Sequence, residues 1–203
     1  VVVECAPASV FDEVAIPAVE AGRIFVPASV GALLDRPNLI DQAREAGSKI
    51  LVPTGALLGL DAVRAVAEGQ VHSVQMITRK PPSGLKGAPY LEGKDIDLDK
   101  LTEPLKLYTG STREAVKGFP ANVNVAAALS LAGIGPDRTE IEIWADPGIT
   151  RNTHRIVVLS DSARLEMTIE NIPSKEYPRT GRITALSILA ALRTLNAPLR
   201  VGT

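Results

Sequence analysis

Residues 1–29 read VVVECAPASVFDEVAIPAVEAGRIFVPAS. Two short apolar runs rich in β-branched residues, VVVECA and RIFVPAS, flank a stretch whose apolar residues return at helical spacing. Strand, helix and strand at this length make a βαβ unit, because parallel strands can be joined only through a crossover, and that crossover is right-handed. The unit repeats at once, with a helix-like LLDRPNLIDQAREAG at 33–47 and an apolar SKILVPTG at 48–55. This predicts an α/β protein carrying the second half of a doubly wound parallel sheet. The run at Val1 starts without a polar lead-in, as a buried strand does when its own beginning has been cut away, so the chain is expected to be a fragment.

From residue 71 the pattern changes. VHSVQMITRK (71–80) predicts a strand running into a long exposed loop, 80–103, dense in Pro, Gly and charge. Ser111 is placed to cap a first helix, Pro120 interrupts it, and VAAALSLAGIG predicts a second, Ala-rich helix ended by glycine. TEIEIWADP, RIVVLS and ARLEMTIENIP then follow without intervening helices, which predicts an antiparallel sheet with Trp144 and the pair Ile141 and Ile143 on opposite faces. A last helix, 180–195, presents Ala185, Ile188, Leu189, Leu192 and Leu195 as an apolar stripe expected to pack on a core and to return to the first domain.

Composition narrows the function. Twenty-two basic and 23 acidic residues leave a net charge of −1, and aromatic residues make up 3% of the 203. A nucleic-acid partner, with its basic surface and stacking platforms, is not expected. No apolar stretch is long enough to span a bilayer and no secretory signal is visible, so no membrane partner is expected. The single cysteine, Cys5, has no internal partner; it is expected to be a small buried hydrophobe, which suits a reducing cytoplasm.

In doubly wound sheets, ligands bind outside the carboxyl ends of the strands. Those ends here, ECAPAS, VPASVGAL and PTGALLGLD, are rich in small residues that let backbone approach a ligand. No G-x-G-x-x-G and no P-loop occurs, so any such loop lies upstream of Val1. Asn122 and Asn124, at the start of the Ala-rich helix, read as helix caps, with contact to a ligand at the positive end of the helix as the alternative. Of the two histidines, His154 sits in ADPGITRNTHRI between polar residues and an apolar run, either as a strand-edge residue or as a proton-transfer group. His72 lies on a strand without a polar cluster and reads as structural. No metal site is expected.

Several segments, in order, resemble one family: VVVECA, ASVGAL, PTGALLGLDAV, TRKPP, GSTREAVKGFPANVNVAAALSLAGIG with DRT, ADPGITRNTHRI, and ENIPSKEYPRTG. They are similar to the L-aspartate dehydrogenases across essentially the whole chain. The resemblance implies an NAD(P)-dependent enzyme, with NAD or NADP as cofactor, that oxidises L-aspartate to iminoaspartate or, in reverse, aminates oxaloacetate with ammonia, in the supply of quinolinate for NAD synthesis. It implies that 1–52 and 175–203 are the remainder of an NAD(P)-binding Rossmann domain, without its N-terminal part, and that 53–174 form the substrate-binding and dimerisation domain of a cytoplasmic homodimer. The family's catalytic histidine falls on His154, and its cofactor contacts on Ala56 and on Asn124, with Asn122 as the register alternative. Arg151, Arg79 and Lys80 stand as unresolved partners for the substrate carboxylates. A non-catalytic remnant that kept only the substrate-side fold, or another two-domain amino-acid or sugar dehydrogenase, are the competing readings.

Overall fold

The computed structural model describes residues 1–174 and 180–202. Two sheets carry the chain. The first is parallel, in the order β1 (Val2–Glu4), β2 (Ile24–Pro27), β3 (Lys49–Ile50). Its crossovers are α1 (Phe11–Glu20) and α2 (Pro37–Glu45), the latter preceded by a 3₁₀ turn at Val30–Asp35. Phe11 and Phe25, both fully buried, meet edge to face with ring centroids 5.6 Å apart and fasten α1 to β2.

After α3 (Leu60–Ala67), the second sheet comprises β4 (Val71–Lys80), β5 (Leu105–Ser111), β6 (Thr139–Ala145), β7 (Asn152–Ser160) and β8 (Arg164–Asn171). The strand order is β5-β6-β4-β7-β8. Here the sheet corrects an expectation: it is mixed rather than antiparallel, because β4 pairs with β6 in parallel. The 58 residues between them are long enough to carry the chain back to the same end of the sheet, which a hairpin cannot do. Part of that excursion is β5, which runs straight into α4 (Thr112–Gly118) through the Ser111 cap, whose hydroxyl accepts the Glu114 N–H.

One face of this sheet buries Met76, Ile141, Ile143 and Ile156 against α5 (Asn124–Ala132) and its surroundings. Each such side chain contributes roughly 1.5–3 kcal/mol relative to an exposed one. Ala126, Ala127 and Ala128 are buried, and their small size lets α5 lie close to the strands. Strand alternation puts Trp144 on the opposite face from Ile141 and Ile143, as expected.

Three further expectations are corrected. The 80–103 connection is not a loose exposed loop: Leu85, Ala88 and Leu98 are buried and anchor it through three 3₁₀ turns. Cys5 is exposed: it follows Glu4, the last residue of β1, and period-two alternation turns it away from the side on which Glu4 is buried. In α6 (Arg182–Thr194) no residue is buried. Leu186 and Leu189 face solvent, and Ile188 is half-buried, so the apolar stripe packs on no core among the described residues. Part of the ENIPSKEYPRTG segment, residues 175–179, lies outside the described residues.

Candidate active site

The carboxyl edge of the parallel sheet faces the second sheet across an open cleft. Its walls include Ala28, Ala56, Asn122, Asn124, Lys80 and His154, so Ala56, Asn124 and His154, the residues singled out by sequence, converge.

The parallel-sheet wall is built from backbone. Glu4, only 1% exposed at the end of β1, accepts hydrogen bonds from the Ala6 N–H at 2.7 Å and the Ser29 N–H at 2.9 Å. One carboxylate thereby ties together the ends of β1 and β2. In the following turn Gly55 and Gly59 adopt φ of +65° and +67°, which glycine alone tolerates without strain. At Gly59 a Cβ would also meet Met167 Sδ of β8 at 2.1 Å, so a side chain there would have to displace the Met167 side chain. Between the two glycines, the Ala56 carbonyl accepts the Asn171 Nδ2–H at 3.0 Å. That bond fixes which way the Asn171 amide faces, and leaves its Oδ1 buried without a partner among the described residues.

Asn124 is not an N-cap. It is the first residue of α5, and its Oδ1 accepts the Gly31 N–H at 2.9 Å, joining α5 to the turn after β2. Asn122 instead accepts from Lys80 Nζ at 2.8 Å. The alternative register thus separates into two tasks: Asn124 braces the parallel-sheet edge, and Asn122 holds a lysine.

The mixed-sheet wall carries the ionisable groups. Alternation along β4 sends Thr78 and Lys80 to the same buried face as Met76, and cross-strand pairing sets His154 opposite Thr78. The Nδ1 of His154 lies 3.2 Å from Thr78 Oγ1, while Nε2 has no hydrogen-bond partner among the described residues. His154 is 2% exposed; burial first, and the Lys80 charge second, push its pKa down to about 3. The imidazole is therefore neutral at neutral pH, with a free ring nitrogen in the cleft. Burial likewise pushes Lys80 down to about 8. His72, by contrast, is exposed, next to a register shift between Val71 and Ser73, and lies outside the cleft.

Of the unresolved cationic residues, the structure brings only Lys80 to the cleft. Arg79 points to the other sheet face, where it stacks on Trp144 at 4.8 Å and pairs with Asp146 at 3.1 Å. Arg151 is exposed and does not line the cleft. Sequence reading missed Thr78, Asn152 and Asn171. Period-two alternation signals that Thr78 and Lys80 share a face, but no sequence signal places β7 and β8 beside them.

A nicotinamide cofactor fits this arrangement. The edge offers small residues and an open turn, with nothing within 4 Å of where a Gly55 Cβ would stand, and Asn124 keeps its amide N–H groups free of partners among the described residues. A doubly wound sheet whose carboxyl edge faces His154 and Lys80 across a cleft suits a nicotinamide-dependent dehydrogenase. Residues 1–53 match the family model "Homoserine dehydrogenase, NAD binding domain", and residues 61–195 match "Aspartate dehydrogenase, C-terminal". All 203 residues align at 62% identity with L-aspartate dehydrogenase 3 of Bordetella bronchiseptica, covering 74% of that protein. They align at 61% identity with the L-aspartate dehydrogenase of Bradyrhizobium diazoefficiens, covering 72%. The crystal structure of aspartate dehydrogenase from Thermotoga maritima superposes with a TM-score of 0.81 at 28% identity, over 98% of this chain and 77% of that one. The chain belongs to the aspartate dehydrogenase family.

Proposed function

We propose that the protein is an NAD(P)-dependent L-aspartate dehydrogenase in which His154 is the proton-transfer residue and Ala56 and Asn124 contact the cofactor. The observation that carries this reading is the convergence of those three residues, with Lys80, on one cleft between the two sheets. When bound, the nicotinamide supplies the acceptor for the hydride leaving the substrate's α-carbon. The chain manages the proton. Oxidation of an amine to an imine removes a hydride from carbon and a proton from nitrogen, and the neutral His154 is placed to take the latter on Nε2. For that, Nδ1 carries the ring hydrogen and donates to Thr78 Oγ1, which as a hydroxyl can accept it. The protonated ring can return that proton when water adds to the imine and ammonia departs; in the aminating direction the same steps run in reverse.

The domain division, 1–52 with 175–203 against 53–174, belongs to the same proposal. It is supported at its first boundary by the end of the NAD-binding match at residue 53. So do a homodimer formed through the outer face of the mixed sheet, a cytoplasmic location, and a place in the supply of quinolinate. Among the described residues, no helix is long and apolar enough to cross a membrane. The deciding experiment is an assay of the purified protein for reduced nicotinamide with L-aspartate and either NAD or NADP, then with oxaloacetate and ammonia in reverse. Turnover in both directions is expected. Its absence with both cofactors, from folded protein, rejects the reading.

A further inference from the structure

Lys80 is a buried cation without a counter-ion among the described residues. Only 6% of it is exposed, its Nζ donates to the neutral amide of Asn122, and no carboxylate among the described residues pairs with it. Asp146, whose N–H bonds the Lys80 carbonyl, turns its own carboxylate to Arg79 and to the Gly148 N–H. An ammonium has three N–H donors, so among the described residues two of them and the charge itself lack partners. Burying a charge in that condition is strongly unfavourable, and an anion entering the cleft would supply the partner that Lys80 lacks. Among the described residues it is the single cationic side chain lining the cleft.

We propose that Lys80 is the specificity-determining counter-ion for a carboxylate of the substrate, an assignment that rests on the aspartate dehydrogenase reading. A carboxylate seated on Nζ supplies the missing charge. It also has a consequence at His154, whose proton affinity the Lys80 charge helps to hold down. Neutralising that charge makes the imidazole a better proton acceptor as the substrate arrives, so recognition of the anion and readiness of the base are linked through one side chain.

The test is Lys80→Met in the purified protein, with Lys80→Arg as the charge-restoring variant. For Lys80→Met, KM for L-aspartate is expected to rise about 10²-fold, the size expected for losing a charge-assisted contact in a desolvated site. Calorimetric NAD(H) affinity should stay within about twofold, and Lys80→Arg should recover part of the loss. The thermal midpoint should hold or rise by a few degrees, because an unpaired buried charge has been removed. Comparing L-aspartate with L-asparagine identifies the carboxylate: a collapsed preference points to the side-chain group, and an equal loss for both points to the α-group. An unchanged KM for aspartate overturns the proposal. So does a loss of NAD(H) affinity in its place, which assigns Lys80 to a cofactor phosphate, or a lowered midpoint with activity reduced only by the folded fraction. If the wild type turns over no aspartate, calorimetry with succinate in the presence of NAD tests Lys80 separately: binding by the wild type and not by Lys80→Met supports the anion site, and equal binding removes it. Should Lys80→Met fail to fold, Lys80→Gln is read by the same measurements.

Discussion

The two sheets face the same cleft with different chemistry. The parallel sheet presents Ala28, Gly55 and Ala56, and its one buried ionisable group at this edge, Glu4, is spent on the backbone N–H groups of Ala6 and Ser29. The mixed sheet presents Lys80 and His154, whose side chains keep hydrogen-bonding capacity in reserve. A large cofactor is best met by close backbone approach, which small residues permit; a four-carbon substrate has to be met by charge and proton transfer, which only side chains supply. Substitutions on the two walls should therefore fail differently.

The largest effect is expected on the mixed-sheet side. His154→Ala should lower kcat for aspartate oxidation by at least about 10²-fold, as when a positioned proton-transfer group is lost, while NAD(H) affinity moves little. Steady-state kinetics and thermal unfolding on one preparation check this; near-normal kcat returns His154 to a structural role. On the opposite wall Glu4→Ala should cost about 2 kcal/mol of stability, since two backbone N–H groups lose their acceptor. Urea unfolding measures it, and a loss below about 0.5 kcal/mol shows that water replaces the carboxylate.

A smaller change is expected for Ala56→Leu, which should weaken NAD(H) binding about tenfold, or about 1.4 kcal/mol, without altering the unfolding midpoint. Titration of nicotinamide fluorescence reads it, and unchanged affinity removes Ala56 from the cofactor wall. The smallest is a pH effect. His154 is held near 3 in the folded chain against an ordinary 6.5, so as pH falls the unfolded chain takes up the proton first. Its contribution to stability is complete above about 6.5 and is lost progressively between 6.5 and 3. Between pH 7 and 6 this amounts to a loss on the order of 1 kcal/mol, visible as the difference in unfolding free energy between wild type and His154→Gln. Parallel pH profiles for the two proteins contradict the buried, neutral imidazole.

Much of this was legible beforehand. The βαβ repeat through residue 55, the Ala-rich helix ended at Gly133, and the division of Trp144 from Ile141 and Ile143 all follow from local periodicity, which the sequence records directly. The motif PTGALLG and the histidine of NTHRI were legible by resemblance. The failures share a cause. The alternating TEIEIWA run does not reveal that β6 pairs in parallel with β4, and the apolar stripe of α6 does not reveal whether anything covers it. The LKLYTGS strand was hidden by the helix that starts immediately at its end.

The same line divides the site. Sequence by itself determined which residue types were available, and that Thr78 and Lys80 share a strand face, because side-chain direction along a strand depends only on neighbouring residues. Only the tertiary structure decided that Lys80, and not Arg79 or Arg151, enters the cleft, that Asn122 and Asn124 have separate partners, and that Asn171 holds the Ala56 carbonyl. Those contacts join residues 42 to 115 positions apart, and they arise from strand order and packing between distant segments, which no local pattern encodes.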